Sequence, residues 1–552
     1  MLKKLGVFVL FLAWLGGIIY GLVTAQYVII PFTLLGGMIC LGVYGALIYV
    51  RPTLEENIEL DKPSGDLSKP DEPKQDKPSN PLSASTMKFD LDSKRPAAVY
   101  FGERVQRDKN GKDIFTGEAV NFTGDEHVLL IGPTRSGKGR AILAPNLILD
   151  TSRSALVVDP KGELAGWTAK HRKAAGHEII YLDPFRELAK DDRLNTEAGR
   201  VISHGFNPLR FLDPKSDYFL DDVMGTTEAI VQVGETKEPH WAESAQDFVA
   251  GLIMQEVAAK GKKASYRHIR ELIGKTDAHI GIYCDEFCKT PLHSMIPNKL
   301  NRFVPLSDSN SEGNRELSSI ISNARTQTRF LDSVLISEDL SKGDDEKGTL
   351  FDFGDMKRKL MTVYLVIPPA YLITHAKWLR LIIDAAIRSL QRVPKKESPH
   401  DVLFMLDEFA QYGRLNSIET SIALNAGYGI KIFAVIQSLA QLQHLYRDNW
   451  ETIVSGGVIA SFAPRDVVTS EYLSKMSGQE YVKIKGESLS RDGFSESVSK
   501  QLQPVLMPHE IRRMARGRMI LFVPANEGQR MWRCRAPDFS KLPEIDAKIS
   551  RT

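Results

Sequence analysis

The sequence predicts an α/β protein: a parallel sheet interrupted by an all-helical insertion and preceded by two membrane-crossing helices. Three observations predict this. From His127 onward, short β-branched runs alternate with helical patterns, which is the signature of parallel strands joined by crossover helices. Between the third and fourth of these runs the strand signal fades, and apolar residues recur at helical spacing. The first 50 residues hold two uncharged apolar runs unlike anything after them.

In chain order, the runs at residues 5–23 and 28–50 are each long enough to cross a bilayer core at about 1.5 Å per residue. Residues 24–27 join them without the small-residue pattern of a signal-peptide cleavage site. Lys3 and Lys4 before the first run and Arg51 after the second place both termini in the cytoplasm by the positive-inside rule. Residues 1–51 are therefore expected to form a transmembrane hairpin. Gly17 and Gly21 give it one GxxxG face, a pattern that also arises by chance. Residues 52–95, rich in Pro, Asp, Lys and Ser, read as a solvated linker with too little apolar surface to offset ordering.

Ordered sequence resumes with AAVYFG at 97–102, a short strand and turn. Strands are expected at 128–131, 154–158, 179–182, 362–367, 402–406, 431–436, 458–462 and 519–523. Trp241, Ala245, Phe248, Val249, Leu252, Ile253 and Val257 fall at helical spacing, as do Leu317, Ile320, Ile321, Ala324, Leu331 and Val334. The expected organisation is one α/β domain in two parts, 96–204 and 346–552, with an all-α domain over 205–345 inserted between them.

With 43% hydrophobic and 25% charged residues, composition excludes wholesale disorder in this 552-residue chain. A net charge of +2 leaves no global footprint of a nucleic-acid binder, so any such contact must come from a local patch or a channel built by several copies. Lys357, Arg358 and Lys359, and Arg512, Arg513, Arg516 and Arg518, read first as solvated helix faces, with a phosphate-contacting path as the alternative. Cys40, Cys284, Cys288 and Cys534 are too sparse for a disulfide framework, and Cys284 with Cys288 lacks a second ligand pair for zinc.

The strand HVLLI runs straight into GPTRSGKG (Gly132, Pro133, Thr134, Arg135, Ser136, Gly137, Lys138, Gly139) and then into a helical stretch from Arg140. Strand, glycine-rich loop and helix in this order form a phosphate loop: the backbone curls so that successive N–H groups point at phosphate oxygens, at the positive end of a helix. Residues 132–140 are thus the expected nucleotide-binding segment, and Lys138 the side chain that reaches the β- and γ-phosphates of ATP. The last motif position, normally Ser or Thr on Mg²⁺, is Gly139. VLFMLDEF at 402–409 is a buried strand ending in two carboxylates. Asp407 is expected to hold Mg²⁺ through water and Glu408 to orient the attacking water, although acidic pairs also begin helices. KIFAVIQS ends in Gln437, which either senses the γ-phosphate or is a turn residue.

Taken with VVDPKGEL at 157–164, FNPL at 206–209, LDEFAQYGRL at 406–415, AGYGIKIFAVIQSLAQL at 426–442 and LMPHEIRRM at 506–514, the chain resembles the TraG-type type IV coupling proteins over nearly its whole length. These are ring ATPases related to the FtsK and HerA translocases. The resemblance implies a RecA-like nucleotide-binding domain and a homo-hexamer in the bacterial inner membrane. It further implies single-stranded DNA carrying a covalently attached relaxase as cargo, and the type IV secretion channel as partner. It also places Asp159 at a strand end near the nucleotide, though Asp-Pro is equally a turn starter. A ring ATPase calls for an arginine finger from the neighbouring copy, for which Arg414 and Arg465 are the candidates. Export of protein effectors alone, or a membrane adaptor that binds nucleotide without turnover, are the competing readings.

Overall fold

A computed structural model describes residues 82–86, 97–108, 111–195, 200–233, 239–304, 311–342, 351–490, 493–525 and 528–549. The hairpin expected over 1–51 and most of the linker expected over 52–95 lie outside them. Among the described residues, no helix is long and apolar enough to cross a membrane.

The strands are β1 (Leu82–Thr86), β2 (Val99–Arg107), β3 (Asp113–Phe122), β4 (His127–Ile131), β5 (Ser154–Val158), β6 (Glu178–Leu182), β7 (Met361–Leu365), β8 (Val402–Leu406), β9 (Ile430–Ile436), β10 (Gly457–Phe462), β11 (Gln479–Ser490), β12 (Gly493–Pro504), β13 (Arg518–Ala525) and β14 (Gly528–Arg535). Twelve of them form one mixed sheet in the order β1-β3-β2-β14-β13-β10-β4-β9-β8-β5-β7-β6. From β10 to β6 every pairing is parallel. From β10 back to β1 every pairing is antiparallel.

The parallel strands β4, β5, β7, β8, β9 and β10 are buried along their whole length. This explains why they read as unbroken apolar runs: helices cover both faces, so no position along the strand needs to be polar. Leu129, Ile131, Leu156 and Val158 point into one core, and Val128, Leu130, Ala155 and Val157 into the other. The second core is roofed by helices α1 (Ala144–Leu149) and α2 (Glu163–Ala174).

The first core is continuous with the helical region between β6 and β7. There, helices α3 (Phe219–Ile230) and α4 (His240–Lys260) pack with the helix Ser311–Thr328. Ala245, Phe248, Val249, Leu252, Ile253 and Val257 are buried at the expected spacing. Val334 is not: it is 63% exposed, because the helix tightens into a 3₁₀ turn at Arg329–Asp332 and restarts on a Ser333 cap, which resets the phase of the pattern. Helix α5 (Ala376–Arg392) lies between this region and the sheet, with Trp378, Leu379 and Ile382 fully buried.

The antiparallel half departs from expectation. The strand expected at 519–523 is present as β13, but it runs antiparallel to β10, because no crossover helix returns the chain to the opposite edge. Between helices α6 (Val467–Met476) and α7 (Pro508–Arg512) the chain instead makes a separate two-stranded ribbon, β11 with β12. β1 lies inside the segment read as linker and pairs with β3.

Candidate active site

Strands β4, β9 and β8 are neighbours running the same way, so the segments that follow them meet at one edge of the sheet. The phosphate loop follows β4. Its start is anchored by Gly132 N–H donating to the Ile436 carbonyl at 2.9 Å, and it folds on itself through Ser136 N–H to the Pro133 carbonyl at 3.1 Å. Arg135 (φ 66°) and Gly137 (φ 92°) adopt left-handed backbone, which curls the loop. The chain leaves through a π turn, Gly139–Leu143, before α1 begins.

Lys138 reaches across to the β8 end, with Nζ 3.0 Å from Glu408 Oε1 and 3.5 Å from Asp407 Oδ1. Gln437 at the end of β9 donates from Nε2 to Glu408 Oε2 at 2.8 Å, and its Oε1 accepts from Thr134 Oγ1 at 3.3 Å. Glu408 itself sits in left-handed backbone (φ 57°, ψ 37°), uncommon for a side chain of this kind and a conformation that needs support from its surroundings. Asp407 is held above the usual carboxylate range by burial, against the opposing pull of Lys138.

The structure thus brings Lys138, Asp407, Glu408, Gln437 and Thr134 together. Ser136 Oγ is buried with no hydrogen-bond partner. A side chain on Gly139 would meet only Trp167, at 4.0 Å. Arg140 turns elsewhere: its guanidinium forks onto Asp538 at 2.6 and 3.0 Å and lies over Phe539. Pro133 and Gly132 contribute backbone to the loop.

Asp159 follows β5, which borders β8, and is buried, accepting from the Ala165 N–H at 2.8 Å at the start of α2. Burial raises it to about 7, and the nearby Asp407 charge adds to the effect. Of the finger candidates, Arg414 is paired with Glu419 at 3.1 Å, and Arg465 donates to the Thr134 carbonyl of the phosphate loop in the same chain at 3.4 Å. Lys357 is buried, while Arg358 and Lys359 are paired with Asp355 and Glu178, so this run behaves as a structural face. Arg512, Arg513 and Arg516 are exposed, and Arg518 pairs with Asp113.

Sequence reasoning missed Tyr412. It is fully buried, and its hydroxyl donates to the Asp407 carbonyl, closing the turn that carries the acidic pair. An aromatic four residues beyond an acidic strand end was the available signal.

These features define a phosphate-loop α/β protein whose candidate site residues follow neighbouring parallel strands. The chain belongs to the family described as type IV secretory system conjugative DNA transfer, whose model matches residues 79–536. It is 26% identical over 445 residues to a conjugal transfer protein TraG of Escherichia coli, covering 76% of this chain and 65% of the relative. It is 29% identical over 406 residues to the protein VirD4 of Agrobacterium fabrum, covering 70% of this chain and 55% of the relative. The match therefore spans less than two thirds of these relatives' length. The plasmid coupling protein TrwB, in complex with ADP and Mg²⁺, shares the α/β fold at a TM-score of 0.56 and 15% identity, over 81% of this chain and 95% of TrwB.

Proposed function

We propose that this chain is an ATPase that drives relaxase-bound single-stranded DNA into a type IV secretion channel, acting as a homo-hexamer anchored by residues 1–51 in the bacterial inner membrane. The observation that carries the ATPase reading is the convergence of Lys138, Glu408 and Gln437 from three neighbouring parallel strands. The ADP and Mg²⁺ complex of TrwB supports the choice of ligand.

The residues fit a Mg²⁺-nucleotide. The loop is curled for phosphate, the orphaned Ser136 hydroxyl lies within it, and a buried carboxylate, Asp407, stands opposite. Mg²⁺, when bound, neutralises charge on the β- and γ-phosphate oxygens, and Asp407 would hold it through water, since Gly139 offers no hydroxyl. Lys138 turns from the acidic pair to the phosphates. That releases Glu408, which Gln437 keeps aimed, to orient a water molecule and draw its proton. The water oxygen bonds to the γ-phosphorus, the bond from that phosphorus to the bridging oxygen breaks, and ADP leaves with phosphate.

Membership of the conjugative DNA transfer family favours DNA over protein-only cargo. A steady-state ATPase assay of the full-length protein with and without single-stranded DNA tests the reading. Turnover stimulated by DNA is expected; turnover indifferent to DNA would point to protein effectors, and absence of turnover to an adaptor.

A further inference from the structure

Arg380, on α5, is 5% exposed and has no carboxylate within ion-pair distance among the described residues. Burial lowers it to about 10, so it stays charged at neutral pH. A buried cation whose hydrogen-bond acceptors among the described residues are two carbonyl oxygens is an expensive way to fill space, and an apolar side chain of similar volume would be cheaper. What its guanidinium holds is therefore informative. Nη1 donates to the Tyr412 carbonyl at 2.7 Å, and Nε to the Ala229 carbonyl at 3.2 Å.

The first of these carbonyls belongs to the residue whose hydroxyl closes the Asp407–Glu408 turn. The second lies at the C-terminal end of α3, in the helical region. Gly413 makes the approach possible: its φ is +76°, and a side chain there would come within 2.9 Å of Arg380 Nη1. A parallel set of bonds runs alongside. Gln232, just past α3, donates to the Arg414 carbonyl at 2.6 Å. Gln327 of the helical region donates to the Gln232 carbonyl at 3.4 Å, and Lys377 on α5 donates to the Gln327 carbonyl at 2.5 Å. A cavity of about 270 Å³, lined by Gly225, Ala229, Gln232, Arg380 and Arg414, lies between α3, α5 and the segment that follows the acidic turn. Across it the contact is therefore polar, and not close-packed.

We propose that Arg380 is a positioning residue that couples the helical region to hydrolysis: it ties the turn carrying Glu408 to the end of α3, so that a displacement of α3 re-aims Glu408 and nucleotide at the phosphate loop is felt at α3. Glu408 suits such control. Its left-handed backbone needs support from its surroundings, and the Tyr412 carbonyl, held by Arg380, is one point at which that support reaches the turn. This rests on the ATPase reading above.

The test uses the full-length protein, its Arg380→Met and Arg380→Lys variants, and hydrogen exchange with and without a non-hydrolysable ATP analogue. In the parent, the analogue should slow exchange in residues 132–140 and alter it in residues 219–230. In Arg380→Met the first response should persist and the second disappear, with kcat down about tenfold to a hundredfold, KM within about twofold, and melting temperature within a few degrees of the parent. Arg380→Lys, which keeps the charge but places its donors on a single nitrogen, should recover part of both. A parent that shows no protection of residues 132–140 would sink the ATPase reading itself. Protection there, with an unchanged α3 response or unchanged kcat in Arg380→Met, would overturn the coupling alone. A variant too unstable to assay is replaced by Gln232→Ala, which removes the parallel bond at the surface of the same turn and should lower kcat in the same sense.

Discussion

The two halves of the sheet are built from similar strands and do different work. In the parallel half, each strand is followed by a segment that leaves at the same edge, so Lys138, Asp159, Glu408 and Gln437 all end up on one side of the sheet. In the antiparallel half, hairpins alternate the edges, and the polar residues pair locally: Arg107 and Arg518 with Asp113, Arg104 with Glu118, and Arg535 with Glu103. Convergence of catalytic groups is a consequence of parallel connectivity. A surface of mutually neutralised charges is a consequence of the other kind.

The comparison is sharpest at the chemistry itself. Lys138→Ala should abolish turnover and weaken nucleotide binding, whereas Glu408→Gln should lose about a thousandfold in kcat while still holding nucleotide. Arg518→Ala, in the other half, should leave both unchanged. A binding titration beside an ATPase assay separates them, and equal loss of affinity in the first two would break the role assignment.

Stability should follow the same division. Phe404 in β8 is fully buried between the helical layers, so Phe404→Ala should cost about 3–5 kcal/mol. Phe115 in β3 is 42% exposed and flanked by Arg518 and Arg535 at 4.1 Å, and Phe115→Ala should cost about 1 kcal/mol or less. Thermal melting of both variants measures the contrast.

The pH dependence carries a sign. Asp159 is raised to about 7 by burial, so the folded protein holds a proton that the unfolded chain has already released above the ordinary carboxylate range. Its contribution to stability therefore falls as pH rises from about 4 to about 7 and is flat beyond. Asp159→Asn keeps an acceptor for the Ala165 N–H and cannot ionise. Its melting temperature should gain on the parent's between pH 5 and pH 8, and a constant difference would show that Asp159 is already charged at pH 5.

The smallest effect is expected at Gly139. Since a side chain there meets nothing closer than 4.0 Å, Gly139→Ser should fold normally. It should lower the Mg²⁺ concentration for half-maximal ATPase by a few-fold. An unchanged requirement at an unchanged melting temperature would mean that the missing hydroxyl does not limit metal binding.

The parallel half was also the legible half. Every expected strand from 128–131 to 458–462 is present within a residue or two, because burial on both faces writes an unbroken apolar run. The strand β14, GQRMWRCR, was invisible for the opposite reason: one face meets a paired arginine layer, so its composition reads as a loop. In the ribbon β11–β12 the apolar alternation is confined to Val482 and Ile484 amid polar residues, too short to mark two twelve-residue strands. At the site, residue types and spacing named Lys138, Asp407, Glu408 and Gln437. Tyr412 and Arg380 escaped because each bonds to a backbone carbonyl, a partner the sequence does not name; the aromatic beyond the acidic pair was the one trace of the first. Arg140 was assigned to the nucleotide for its position alone, and Asp538, almost 400 residues away, holds it.

The ribbon has a practical consequence for anyone handling the protein. Two twelve-residue strands, about 40 Å long, stand apart from the sheet with Tyr481, Val498 and Leu502 open to solvent and no neighbour on either outer edge among the described residues. Unprotected edges of this kind template further strands, so concentrated preparations should aggregate through them and give particle sizes that reflect edge pairing. Gly478 and Val505 are already joined, Val505 N–H donating to the Gly478 carbonyl at 3.0 Å, so residues 479–504 can be replaced by a short turn without disturbing their supports. The shortened protein is the reference against which any sizing of the full-length protein should be read.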